Sequence, residues 1–127
     1  QVLNIRTRFT IAQVNASGGT TLLPAVAGLK YRMIECAAIA VGGAAGTVTT
    51  VDVLATQTTS VKLVAYAQAS LTQSTRLESG DTGAAVLTNG SSFIANDANT
   101  AITVSKTGSD VDTATHIDII FTYCLEA

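Results

Sequence analysis

The sequence predicts an all-β protein: an antiparallel, jelly-roll-like sandwich of eight or nine strands. Two observations favour this fold. Apolar and polar residues alternate in several segments separated by Gly-rich turns, and no segment has the pattern of a long helix. The chain also contains twenty Thr and many Val, whose branching at Cβ restricts χ1 and suits a strand better than a helix. The length of 127 residues fits a single domain, 1–127.

The first and last strands have the clearest patterns. Apolar side chains occupy every second position of residues 3–11, which predicts a strand with one buried face up to about residue 12. A loop follows at Asn15–Gly19, where Gly18 and Gly19 are available for positive φ. In the last strand, which starts at His116, we expect Phe121 and Ile119 to be almost fully buried. Its apolar row is Ile117, Ile119, Phe121, Tyr123 and Leu125.

Seven further strands are predicted between these two. The segment from Leu29 to Val41 becomes apolar on both faces after Ile34, so it should pass from a solvated to a covered environment. Asn89-Gly90 between two apolar runs predicts a hairpin. Residues 22–25, which include the only proline, are read as an extended connector. The other predicted strands are 47–55, 61–66, 65–76, 84–87, 92–95 and 100–106, with turns at 42–46, 57–60, 78–83 and 107–110.

Charge is scarce in this chain. Only 13% of residues are charged, against about 25% in ordinary soluble domains, and the net charge is −2. The seven basic residues are scattered, so we expect no nucleic-acid partner. The longest apolar run, Cys36–Val41, is too short for a bilayer, and Arg6 and Arg8 interrupt any signal-peptide pattern, so no membrane partner is expected. A neutral β surface instead predicts contact with other chains, as in a symmetric oligomer.

No set of residues predicts catalysis, so we expect no enzyme and no catalytic residues. His116 is the only histidine, and no nucleophile elbow surrounds any serine. The carboxylates Asp110 and Asp112, and Asp97 beside Asn99, lack the full ligand set of a calcium loop, so no metal and no cofactor is expected.

The glycines Gly42, Gly43 and Gly46 superficially suggest a phosphate-binding loop. They are followed by Thr47 and Val48 instead of the Lys-Ser/Thr that such a loop needs. We expect these glycines to form a turn.

The two cysteines, Cys36 and Cys124, leave two interpretations open. They are either two small, buried apolar residues or a disulfide between neighbouring strands.

Aromatic residues bear on a sugar-binding function, because carbohydrate-binding sandwiches display them on an open face. The chain has no Trp. Only Phe93 and Tyr66 are candidate platforms, since the other aromatics considered fall on predicted apolar faces. Those are Phe9, Phe121, Tyr31 and Tyr123.

The chain resembles the small β-rich decoration (cement) proteins of tailed-bacteriophage capsids. This resemblance implies a jelly-roll-like sandwich, trimers at symmetry axes of the shell and reinforcement of the capsid lattice, and the family has no catalytic residues to carry over. The segments that support it are Arg8–Val14, Thr21–Pro24, Lys30–Arg32 leading into Ile39–Gly46, Ala101–Val104 and Ile117–Glu126.

The expected function is therefore that of a non-enzymatic virion protein. It would decorate and stabilise the outer surface of a tailed-phage capsid as a homotrimer, with the major capsid protein as its partner. The two chain ends and Gly42–Gly46 are the candidate contacts, since loops and termini can conform to a partner. A receptor- or carbohydrate-binding module of a phage fibre or tail is the alternative. A small hydrolase is disfavoured because no catalytic constellation is present.

Overall fold

The computed structural model describes all 127 residues, in nine strands, one short α-helix and one 3-10 segment. The absence of any long helix agrees with the sequence pattern. The elements are β1 (Val2–Thr10), α1 (Ile11–Asn15), β2 (Thr20–Leu23), β3 (Lys30–Val41), β4 (Gly46–Gln57), β5 (Thr59–Ala67), β6 (Arg76–Glu78), β7 (Ala84–Val86), the 3-10 segment (Thr88–Phe93), β8 (Ile102–Val111) and β9 (His116–Glu126).

The strands form two antiparallel sheets, which confirms the predicted β-sandwich. The four-stranded sheet has the order β1-β9-β3-β6, and the five-stranded sheet has the order β2-β8-β4-β5-β7. If the three-residue edge strand β7 is set aside, consecutive strands lie in different sheets except at the β4–β5 hairpin. This is the strand order of a jelly roll.

The core lies between the inner faces of the two sheets. Phe121 and Ile119 are fully buried, as the alternation in β9 predicts. The aromatic ring of Tyr123, next in the same row, meets that of Tyr31 edge-on at 5.6 Å between centroids. From the other sheet, Val51 and its neighbours in β4 and β5 complete the core. Those neighbours are Val53, Val64 and Tyr66.

The first strand is shorter than predicted, because a helix begins where the alternation continues. β1 ends at Thr10, which caps α1. The Thr10 hydroxyl accepts a hydrogen bond from the Gln13 N–H, and the Gln13 side chain accepts one from the Thr10 N–H. This reciprocal capping box satisfies two donors at the helix start, so Ile11 lies in a helix instead of a strand.

The predicted strand over residues 65–76 is wrong beyond Ala67. The chain must cross there from the five-stranded sheet, which contains β5, to the four-stranded sheet, which contains β6. It does so in a turn whose Ser70 and Leu71 N–H groups both donate to the Ala67 carbonyl. Leu71 is fully buried, so the crossing is anchored in the core.

The predicted hairpin at Asn89-Gly90 is also wrong. Both residues adopt the positive φ that favours such a turn, but they lie within the 3-10 segment. The buried Ser92 hydroxyl donates to the Leu63 carbonyl and accepts from the Leu87 N–H. These bonds hold the segment against β5, so residues 92–95 do not return as a strand beside β7.

Three smaller differences concern strand ends. The connector at residues 22–25 begins as strand β2, which pairs with β8. The predicted turn at 107–110 is part of β8, which continues to Val111. The turn predicted at 57–60 consists of Thr58 alone, because Gln57 and Thr59 already pair across the β4–β5 hairpin.

Candidate interaction surfaces

All four arginines of the chain lie on the outer face of the four-stranded sheet. Residues of β9 that alternate with the buried Phe121 row point away from the core. The arginines of β1 and β3 lie opposite this outer row, and the arginine of β6 lies opposite a β3 residue that pairs with it. The register places Arg8 opposite Asp118, Arg6 opposite Ile120, Arg32 opposite Cys124 and Arg76 opposite Ile39. We call this surface the arginine face.

Asp118 is the buried centre of the arginine face. Its side chain is 1% exposed and accepts two hydrogen bonds from Arg8, at 2.8 and 3.0 Å, and one from Arg6 at 2.7 Å. The hydrogen bonds from Arg8, with those from Arg6 and the two positive charges, lower the pKa of Asp118 although burial opposes this. The carboxylate thus fixes two guanidinium groups that are themselves more than half exposed.

Positive charge exceeds negative charge at the β1 side of this face. Elsewhere on the face, Arg32 pairs with Glu126, which also lies opposite Lys30, and Arg76 pairs with Glu78. Arg6 and Arg8 share the single carboxylate of Asp118. The β1 side is therefore suited to a partner that brings negative charge.

The outer face of the five-stranded sheet is different, since hydroxyl groups dominate it. Its buried Asp52 accepts hydrogen bonds from the hydroxyls of Thr50 and Thr107, at 2.7 and 2.6 Å, and lies 3.6 Å from Lys62. A cavity of about 200 Å³ lies on this sheet and has neither charged nor aromatic walls. It is lined by Leu54, Ala55, Thr56, Ser60, Ala101 and Thr103.

The candidate catalytic and metal-binding residues are dispersed. The His116 ring nitrogen Nδ1 lies 3.3 Å from the hydroxyl of the adjacent Thr115. No group of three or more His, Cys, Asp and Glu side chains is placed to hold a metal ion. These side chains bond to neighbouring protein groups instead. Asp112 accepts from the Thr47 N–H and hydroxyl, and Asp110 pairs with Lys106 within β8. Asp97 accepts from the Thr58 N–H, and Asn99 accepts from the Gly28 N–H.

The cysteines are both free, so the disulfide alternative is wrong. Cys36 lies opposite Phe121 and points into the core, whereas Cys124 belongs to the outer row of β9. The two thiols therefore lie on opposite sides of the sheet. Cys36 is buried as expected for a small apolar residue, and this burial raises the pKa of its thiol to about 12. Cys124 is only half-buried.

The aromatic platform is reduced to one residue. Tyr66 is fully buried, so its assignment as a candidate sugar platform is wrong, and burial raises the pKa of its hydroxyl. Phe93 is half-buried beside the core. A stacking surface formed by both rings is therefore excluded.

The candidate capsid contacts lie at opposite ends of the four-stranded sheet. Val2 faces Cys124, so the two chain ends lie together, whereas Val41 and the following Gly42–Gly46 loop lie at the other end. That loop is bound to the neighbouring β8–β9 turn: both the N–H and the hydroxyl of Thr115 donate to the Val41 carbonyl. The loop is thus held in place, while Val2 is 61% exposed.

Acid should weaken the fold through Asp118. Because its pKa in the folded state is below the ordinary 3.8, its stabilising contribution is present above that value and is lost as the pH falls through the folded-state pKa. We expect the urea midpoint to drop between about pH 5 and about pH 2, and to drop less in Asp118→Asn. Glu126→Gln, in an exposed pair, should change this acid sensitivity less. Equal acid sensitivity of Asp118→Asn and the unaltered protein would contradict this role.

The arginine face was missed by sequence reasoning, although a signal exists. Arg6 and Arg8 occupy the polar positions of the first alternating segment, and Asp118 occupies a polar position of the last. Only the pairing of β1 with β9 brings them together, across 112 and 110 residues.

Comparison with known proteins places no further constraint on the site. No protein-family model, curated protein or solved structure matches this chain. None of its helices has the length and apolar character needed to span a membrane.

Proposed function

We propose that this protein is a non-enzymatic component of a virion. It decorates the outer surface of a tailed-phage capsid and stabilises the shell through contacts with the major capsid protein. The observation that carries the proposal is the arginine face: a rigid sheet displays all four arginines on one side and fixes two of them through a buried carboxylate. Arginine is enriched in protein interfaces, because its planar group makes several directed hydrogen bonds.

A homotrimer is the proposed assembly. With 13% charged residues and a mean hydropathy of +0.39, a lone chain would expose an unusually neutral surface. The hydroxyl-rich outer face of the five-stranded sheet supports broad, weakly polar contact of this kind. Three linked copies on a symmetric shell also raise the effective concentration of each contact, so that one modest site per chain suffices.

The experiment is to mix the purified protein with undecorated heads of the phage that encodes it. We expect saturable binding in multiples of three copies and heads that resist a higher temperature before they open. Absence of binding at saturating concentration would overturn the proposal.

Light scattering of the free protein measures its mass in solution. A mass three times the 13.0 kDa of one chain indicates a preformed trimer, and a mass of 13.0 kDa contradicts stable self-assembly before capsid binding.

A receptor- or carbohydrate-binding module of a fibre or tail is the second candidate. The cavity on the five-stranded sheet favours it, since the Thr56, Ser60 and Thr103 side chains at its wall carry hydroxyl groups that can bond to a sugar. Saturable binding of a glycan, weakened by Thr103→Val, together with no binding to heads, would favour this function instead.

A further inference from the structure

One of the four sheet edges differs from the other three. The edge strands β2, β6 and β7 contain four, three and three residues, and such short edges offer little for another chain to pair with. β1 is an edge strand of nine residues, with no proline, no glycine and no bulge in its pairing with β9. Natural β-proteins usually protect such an edge, because it is a template for strand addition.

The outward backbone groups of β1 have no partner within the chain. The Thr10 N–H bonds to the Gln13 side chain instead of to β9. The backbone N–H and C=O groups of every second residue in a strand point to the same side, so those of the other even-numbered residues of β1 also point away from β9. The free edge therefore carries the N–H and C=O groups of Asn4, Arg6 and Arg8, and none of these backbone groups takes part in a hydrogen bond to a loop, turn or side chain. An added strand could pair with each of them.

The side chains of β1 specify what kind of strand fits. Leu3 and Ile5 point inward but are only half-buried, so apolar surface is left for a further strand to cover. Arg6 and Arg8 point outward with side chains 57% and 54% exposed and share one carboxylate. The edge therefore favours an added strand that has apolar residues on one side and acidic residues on the other.

We propose that β1 is a docking edge that accepts an extended segment of a partner protein, with alternating acidic and apolar residues, as a tenth strand. A second copy of β1 fits poorly, because antiparallel pairing of two such edges would bring the Arg6 and Arg8 side chains of both copies together. The inference deepens the proposed contact function and rests on it for the partner's identity as a capsid protein. Backbone pairing supplies affinity, and the two arginines supply selection for acidic residues.

The test uses a synthetic peptide of about nine residues with glutamate at alternate positions and valine between them. A second peptide with lysine in place of glutamate is its control. We expect the glutamate peptide to bind at least about tenfold more tightly than the lysine peptide. On binding, the Asn4, Arg6 and Arg8 amides should exchange more slowly, while the Leu3 and Ile5 amides, already bonded to β9, should change little. Equal binding of the two peptides, or unchanged exchange at millimolar glutamate peptide, would overturn the proposal.

Two substitutions of one residue distinguish the contribution of its backbone N–H to peptide binding from that of its side chain. Asn4→Pro removes an outward N–H donor, and Asn4→Ala keeps it; both lose the side-chain bond to the Thr122 hydroxyl. We expect the proline variant to bind the glutamate peptide about tenfold more weakly and the alanine variant to bind like the original protein. Equal affinities for both would contradict strand addition.

Binding to heads distinguishes failure of the docking edge from failure of the decoration function. If heads bind Asn4→Pro and the original protein equally, the docking edge is wrong and the decoration function stands. If heads bind neither, the decoration function fails, whatever the peptide does. If the free protein self-associates with slowed Arg6 and Arg8 exchange, and Asn4→Pro abolishes this, the occupant is a second copy and the acidic partner is wrong.

Discussion

Replacing Phe121 with alanine is expected to lower the free energy of unfolding by about 3–5 kcal/mol. The ring is completely buried in the central strand β9, where its register neighbours are Ile5 and Cys36. It also lies 5.7 Å from the Tyr123 ring. The truncation leaves a cavity between the two sheets. The hydrogen bonds within each sheet keep its backbone from shifting inward to fill that cavity. Urea denaturation measures the change.

Leu125→Ala is the matched control for that cavity. Leu125 follows in the same row of β9 but is 39% exposed at the end of the sandwich. Its truncation should cost roughly 1 kcal/mol or less, because much of its surface is already in water. If the two variants lose the same stability, the row is not the centre of the core and the sandwich is wrong.

Replacing Gly19 with alanine is expected to destabilise the protein far more than the same change at its neighbour Gly18. Both glycines adopt a left-handed backbone, with φ near +77° and +78°, which costs an L-residue about 1–2 kcal/mol. A Cβ at Gly19 would lie 2.4 Å from the Val104 carbonyl oxygen, whereas one at Gly18 meets nothing within 4 Å. Because the obstacle at Gly19 is the backbone of β8, we expect an additional cost of about 1–3 kcal/mol.

The measurement is the pair of urea midpoints, with hydrogen exchange to locate the damage. In Gly19→Ala, protection should fall in β2, which follows Gly19 and pairs with β8 at Thr20 and Val104. Gly18→Ala should keep that protection. Similar midpoints for the two variants would show that β2 does not lie as close to β8 as the structure has it.

Sequence periodicity predicted the fold where apolar and polar residues alternate along a strand. β9 is the clearest case, because its inner row is apolar and its outer row contains Asp118 and Thr122. The jelly-roll-like arrangement of two sheets agrees with that prediction. Periodicity failed where a local hydrogen bond or a crossing between sheets decides the conformation. The Thr10 capping box ended β1, and the crossing at Leu71 interrupted the alternation.

The candidate surface could be predicted only in part. Composition indicated a contact protein, but the arginine face depends on strand order and register. The β1–β9 pairing sets Arg8 against Asp118, residues that are 110 positions apart. The free edge of β1 is likewise a property of topology, because β1 would be covered if any strand other than β9 also paired with it.

The central claim is that this sandwich binds the outside of a capsid, and an electron cryo-microscopy map of heads mixed with the protein tests it most directly. The account predicts additional density on the outer surface at symmetry axes of the shell, in threefold clusters into which the sandwich fits. It also predicts that the β1 edge and the arginine face meet the shell protein. Heads that stay bare at saturating protein concentration would contradict the account.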